Sequence, residues 1–236
     1  MNSTKHEKGF INGLFPIYCS SWSISAIPLI IMAVWCIMGR NTYSIALGIR
    51  PLQEGESIDF LAFGQWEVMM VLPIILDGFY LNNIKKINIF VRIRLTGSKE
   101  YRKLQLSGCM INAAFWSFII VLIVKIVVKK IVLSMAAVIL TSQILWGASY
   151  ALVNGIGKLS PEVSGVAVMT GFGAVHLLNE YGILPLFASP AAWGMVYRST
   201  KYIQTGITIQ YMITGNILLS VLFAIILITR PVNLEE

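Results

Sequence analysis

Apolar residues run along this chain in long blocks, without the strict alternation of a half-buried strand or the single stripe of a surface helix. Crossing about 30 Å of hydrocarbon takes roughly 20 mostly apolar residues. Six stretches meet or approach that length, at about 20–39, 61–82, 107–128, 132–153, 165–187 and 208–229. The first, third, fourth and sixth are clear; "QLSGCMINAAFWSFIIVLIVKIVV" and "GNILLSVLFAIILIT" admit no soluble reading. Span two, "FLAFGQWEVMMVLPIILDGFYL", carries Glu67, Pro73 and Asp77. Span five, "VAVMTGFGAVHLLNEYGILPLF", carries His176, Asn179, Glu180, Gly182 and Pro185. Its run from Gly165 to Leu178 is only 14 residues, too short alone. The chain beyond it is expected to break, re-enter and return before span six, which is tolerated only where protein shields the loose backbone. The pattern predicts an all-α, polytopic membrane protein of six transmembrane helices.

Composition agrees. Apolar residues make up 56% of the chain and charged residues 12%, with a mean hydropathy of +0.74, where a soluble domain carries about 25% charged residues. No soluble catalytic domain is expected within these 236 residues. Residues 1–19 read as a retained cytoplasmic tail and short interfacial helix, with no small-residue cleavage site after the first apolar run. Cys19, Cys36 and Cys109 lack C-x-x-C spacing and read as small hydrophobes, with neither a disulfide nor a metal site.

Basic residues set the expected orientation. With the N-terminus inside, the inner face collects eleven: Lys5, Lys8, the seven from Lys85 to Lys103, Lys158 and Arg230. The outer face collects six: Arg40, Arg50, Lys129, Lys130, Arg198 and Lys201, while Lys125 lies within span three and snorkels on its long stem. That asymmetry favours cytoplasmic N- and C-termini, the latter in a tail at 230–236.

The densest charge lies in residues 83–106, "NIKKINIFVRIRLTGSKEYRKLQL". Basic residues beside a span can do no more than set topology and attract anionic lipid, each for about 1 kcal/mol. The order of residues suggests more. "NIFVRIRL" is an amphipathic run, "TGS" breaks it, and "SKEYRKLQL" can start a new helix with Ser98 as N-cap and a basic face leading into span three. A short rigid helix–turn–helix of this kind suits the uptake of force from a soluble partner.

Six spans, both termini inside and a charged elbow between spans two and three resemble the permease subunits of ABC-2 type transporters. The nearest likeness is to short bacterial permeases associated with bacteriocin or modified-peptide export and immunity. The residues carrying it are Arg92, Arg94, Gly97, Ser98, Lys99, Tyr101, Arg102 and Lys103, where the family's coupling helix docks on a cytoplasmic ATPase. "LPLFASPAAWGMVYRS", residues 184–199, resembles the family's extracellular re-entrant segment, with Pro190, Trp193 and Arg198 in matching positions. Span two departs from the family's pattern in the polarity of Glu67 and Asp77.

The resemblance implies a separate ATP-binding subunit, in two copies, that holds the ATP and Mg. It also implies a second permease, identical or related, an amphipathic or lipid-like substrate and a bacterial plasma membrane. No cofactor is expected in this chain and no nucleic-acid partner. The Walker pattern is not satisfied: "NGIGKLS" at 154–160 has Leu152 where the first Gly should stand and Leu159 after the lysine, and reads as a loop between spans four and five.

Ionisable residues at depth are candidate functional sites by default. His176 and Glu180, four apart, share a helix face; two ligands are too few for a tetrahedral metal site, and an interior hydrogen-bonding pair is the simpler expectation. Asp77, near the inner end of span two, is expected to pair with Lys85, Lys86 or Arg92. Glu67, closer to the outer side, is a candidate for a substrate path or for helix packing. Trp22, Trp66, Trp116, Trp146 and Trp193 fall near boundaries or packing faces. Neither H-E-x-x-H nor G-x-S-x-G occurs, which speaks against an enzyme, and no internal repeat points to a secondary transporter. The rival to an exporter subunit is a six-span peptide-immunity or substrate-binding protein that does not transport.

Overall fold

The structure, a computed structural model, describes residues 47–49, 58–70, 74, 77–78, 98–128, 132–157 and 159–230. Among these the regular elements are helical, apart from one isolated bridge between Ser199 and Ile207. We label the helices α1 (60–70, with residues 74, 77 and 78 also helical), α2 (Ser98–Val128), α3 (Leu133–Gly157), α4 (Pro161–Glu180) and α5 (Ile209–Thr229). The last four are long and apolar enough to cross a membrane. The chain is an all-α, polytopic membrane protein with four candidate transmembrane helices among the described residues. The expected span at 20–39, the tail at 1–19, residues 83–97 of the elbow and the tail beyond Arg230 lie outside them.

The helix ends differ from the expected ones for local reasons. At the start of α2, Ser98 is already helical instead of being the flanking cap, and the helix runs unbroken through the whole "SKEYRKLQL" stretch. α3 continues to Gly157, so Asn154–Gly157, expected in a loop, forms its last turn. α4 starts at Pro161 with Ser160 as N-cap, its hydroxyl accepting from Val163 N at 3.3 Å. The same helix stops at Glu180 and not at 187. Gly182 takes φ +71°, its N–H reaches Asn179 O and the Ile183 N–H reaches Leu178 O, a Schellman ending that only a left-handed residue completes. Thr208 caps α5 through its hydroxyl and Tyr211 N; Asp59 caps α1 through Ala62 N at 2.9 Å.

Short connections make α2 to α5 an antiparallel set. Ser98, Gly157, Pro161 and Thr229 share one end, the Ser98 end; the opposite end holds Leu133, Glu180 and Ile209. The middle helix is α3, on which α2, α4 and α5 all pack. It buries 67% of its span against 22% for α5, although α5 is the more apolar. This contrast follows from side-chain size and from which faces find partners. Gly147 lets the Cys109 carbonyl and Ala113 of α2 come close, the small-residue contact that membrane helices favour. Most of α5 and the outer face of α4 remain open to lipid or to another protein. Aromatic rings join α1, α3 and α4: Trp66 meets Trp146 edge-on at 6.2 Å, and Trp146 stacks on Phe172 at 4.2 Å.

Candidate functional site

After the stop at Gly182 the chain takes 3-10 turns at Leu186–Ala188, Ala192–Gly194 and Val196–Arg198 before α5 begins. This stretch is folded into the helices: Ala191, Ala192, Gly194, Met195, Val196, Arg198 and Ser199 are all buried. Gly194 sits so close to Ser142 that a Cβ there would collide with the serine hydroxyl. Ser142 lies nine residues past Leu133, which places this contact about 13–14 Å along α3 at 1.5 Å per residue. Asn216, seven residues into α5, donates to Trp193 O and to Thr141 Oγ1, both at 3.3 Å. The irregular backbone around Trp193 and Gly194 thus packs against α3 and α5.

Arg198 fastens this stretch. It is 1% exposed, and its guanidinium donates three ways. Nε reaches Ile49 O at 3.2 Å, one terminal nitrogen reaches Asn179 Oδ1 at 2.5 Å, and the other is bound to Glu180 Oε1. Burial draws the guanidinium below its ordinary value while the Glu180 carboxylate opposes that shift. The cluster joins three chain segments at one point: the end of α4, residues 47–49 and the turn before Ser199. Gly48 lets residues 47–49 fit. It takes φ +86°, and a Cβ there would lie 2.5 Å from Met195 Cβ.

The His176–Glu180 hydrogen bond expected from their spacing is not formed. His176 Nε2 stands 3.8 Å from Glu180 Oε1, the same oxygen that Arg198 occupies, and neither ring nitrogen has a hydrogen-bond partner. His176 instead lies flat against Phe63, with centroids 4.6 Å apart and planes at 8°. Glu67 approaches the same face of α4 one turn away, beside Gly173. His176 and Glu67 therefore meet at the α1–α4 contact, and Glu180, one turn beyond His176, is held by Arg198. The arrangement neutralises buried charge and holds segments together. It offers no nucleophile with a base in hydrogen-bond reach, and no group of three or more His, Cys, Asp or Glu gathers among the described residues.

Asp77 is fully buried and accepts from Asn112 Nδ2 at 2.7 Å. Its expected partners Lys85, Lys86 and Arg92 lie outside the described residues, as do Arg94 and Gly97. Of the remaining elbow residues, Ser98 and Tyr101 lie on the first turns of α2 with Lys99 and Lys103, which are exposed. Arg102 is not: it is 7% exposed and binds main-chain carbonyls of α5. The residues that the sequence did not single out are Asn179 as a ligand of Arg198, Gly48, and the buried mid-helix row Thr141, Ser142 and Gln143. An arginine inside the otherwise apolar "PAAWGMVYRS" was the one available sign of the buried ion pair. No protein-family model, no curated protein and no solved structure matches the chain.

Proposed function

We propose that the chain is the membrane-spanning subunit of an ABC-2 type exporter. It couples ATP hydrolysis in a separate cytoplasmic subunit to export, or extraction from the membrane, of a hydrophobic or amphipathic peptide. The length of α2 carries this reading. Its 31 residues extend about 46 Å at 1.5 Å per residue, half as long again as a hydrocarbon core of about 30 Å. Its apolar run begins near Gln105. Residues 98–104 precede that run as a helical projection with Lys99 and Lys103 exposed one turn apart. A soluble subunit that presses on such a projection moves a span directly.

In this reading the Ser98 end faces the cytoplasm of a bacterial cell, both termini are cytoplasmic, and residues 184–199 form the external re-entrant segment. Lys99 and Lys103, with Arg92, Arg94, Gly97, Ser98 and Tyr101, form the docking element. ATP and Mg belong to the partner, and this chain is not itself an enzyme. Two copies, or one copy and a related permease, line the pathway. Ser142, Gln143 and Asn216 are polar groups buried among the helices, and such groups inside a membrane bundle are candidates for a functional role.

The test is purification of the tagged chain from its native membrane in mild detergent, with composition read by native mass spectrometry. The expected result is a complex with two ATP-binding subunits, lost from the double variant Lys99→Gln/Lys103→Gln. A chain that arrives without any ATPase yet binds amphipathic peptide would replace the exporter by an immunity or receptor protein.

A further inference from the structure

The Ser98 end holds a buried chain of hydrogen bonds that links four helices. On α2, Arg102 donates to Leu227 O at 2.8 Å and to Arg230 O, the last carbonyls of α5. One turn on, Gln105 Nε2 donates to Asn154 Oδ1 on α3 at 3.0 Å. Asn154 Nδ2 in turn donates to Ser164 Oγ on α4 at 3.1 Å, and that hydroxyl donates to Ser160 O at 2.9 Å. Gly155 on α3 leaves room for Leu227 of α5 at the same level. A cation that satisfies helix C-terminal carbonyls is doubly favoured, since those groups lack intrahelical donors and carry the negative end of the helix dipole.

The first turns of α2 therefore have two faces with different work. Lys99 and Lys103 are exposed; Arg102 and Gln105 point into the bundle. Arg102 commits one terminal nitrogen to the end of α5 and is only 7% exposed, which leaves little of its guanidinium for a soluble partner. The two bonds it makes span 125 and 128 residues of sequence.

Resting on the exporter reading, we infer that Arg102 is a positioning residue that transmits displacement of the α2 projection to α5, and that docking belongs to the lysine face alone. A push on Lys99 and Lys103 is passed to α5 through Arg102 and to α3 and α4 through Gln105, Asn154 and Ser164. A soluble subunit that touches one helix thus moves the Ser98 ends of four.

Amide hydrogen exchange of the purified complex, with and without ATP plus vanadate, tests this. In the wild type, nucleotide trapping changes exchange in residues 98–105 and in 224–230 together. In Arg102→Gln the ATP-binding subunit stays bound and 98–105 still responds. The response of 224–230 falls by about 2- to 30-fold, the range that such coupling residues carry. Arg102→Lys, which keeps a cation for the carbonyls, restores part of it. A merely structural role would shift basal exchange in both states equally and leave the nucleotide-dependent difference intact.

Should Arg102→Gln lose the ATP-binding subunit while Lys99→Gln/Lys103→Gln keeps it, Arg102 is a docking residue and the inference is overturned. It is equally overturned if 224–230 responds fully in Arg102→Gln. If that variant does not fold, Gln105→Leu must by the same logic weaken the response at 160–164, and an unchanged response there overturns the relay. A wild-type preparation that contains no ATPase removes the exporter reading itself, a result distinct from all of these.

Discussion

Changing Arg198 to Met leaves Glu180 in a site where its side chain is 4% exposed, without the Arg198 cation. Asn179 Oδ1 and Ile49 O lose a donor in the same step. Removing one member of a buried ion pair costs about 3–5 kcal/mol, because the charge left behind stays desolvated. Glu180→Leu should fall at the lower end of that range, about 3 kcal/mol, since Arg198 keeps two of its three acceptors. The double variant Arg198→Met/Glu180→Leu removes both charges and should lie within about 1–2 kcal/mol of wild type. The coupling between the sites then exceeds about 2 kcal/mol, well beyond what independent sites give. The assay is denaturant unfolding in detergent micelles, followed by tryptophan fluorescence, since Trp66 and Trp146 lie in the packed interior. Additive losses in the double variant would refute the claim that these two side chains form one compensated unit.

Two other perturbations separate backbone from packing effects. Gly182→Ala meets no neighbouring atom, so it should cost only the left-handed backbone penalty of about 1–2 kcal/mol. Gly48→Ala adds a clash with Met195 to a similar φ and should cost clearly more; melting temperatures of the two variants in the opposite order would contradict that placement. At the Asp77 contact, Asn112→Ala strips the carboxyl of the Nδ2 donor at 2.7 Å and should cost about 1–3 kcal/mol. Asp77→Asn keeps a hydrogen-bonding group of the same shape and should cost less. Equal losses for the two variants, read from the same unfolding curves, would mean that the Asp77–Asn112 bond is not what stabilises this contact.

Long apolar blocks made α2, α3 and α5 legible, because a span is recorded in composition over some 20 residues. Ends were harder. The Ser160–Pro161–Glu162 start of α4 is a good capping sequence, but a search for apolar runs begins counting at Gly165 and so extends the helix too far at its other end. Gly182 was visible as a break; that it closes a Schellman ending depends on hydrogen bonds that no hydropathy profile contains.

The site was half legible for a related reason. Helical spacing brings His176 and Glu180 to one face, where they stand 3.8 Å apart. Their partners come from elsewhere: Arg198 is 18 residues from Glu180 across a helix stop, and Asn112 is 35 from Asp77. No periodicity encodes such pairings. Arg102 shows a different limit. The family resemblance groups it with Lys99 and Lys103 in one coupling segment, but a guanidinium also suits the carbonyls at a helix end, and here it lies buried against Leu227 O.

The most direct measurement of the central claim is ATP-dependent peptide movement in proteoliposomes. These would contain the chain with its co-purified ATP-binding subunit and a dye-labelled amphipathic helical peptide on the nucleotide-facing side. The account predicts transfer of the peptide that requires ATP and stops when the partner's nucleotide site is inactivated. Peptide that binds the chain equally well with or without the partner, and is never moved by ATP, would contradict it.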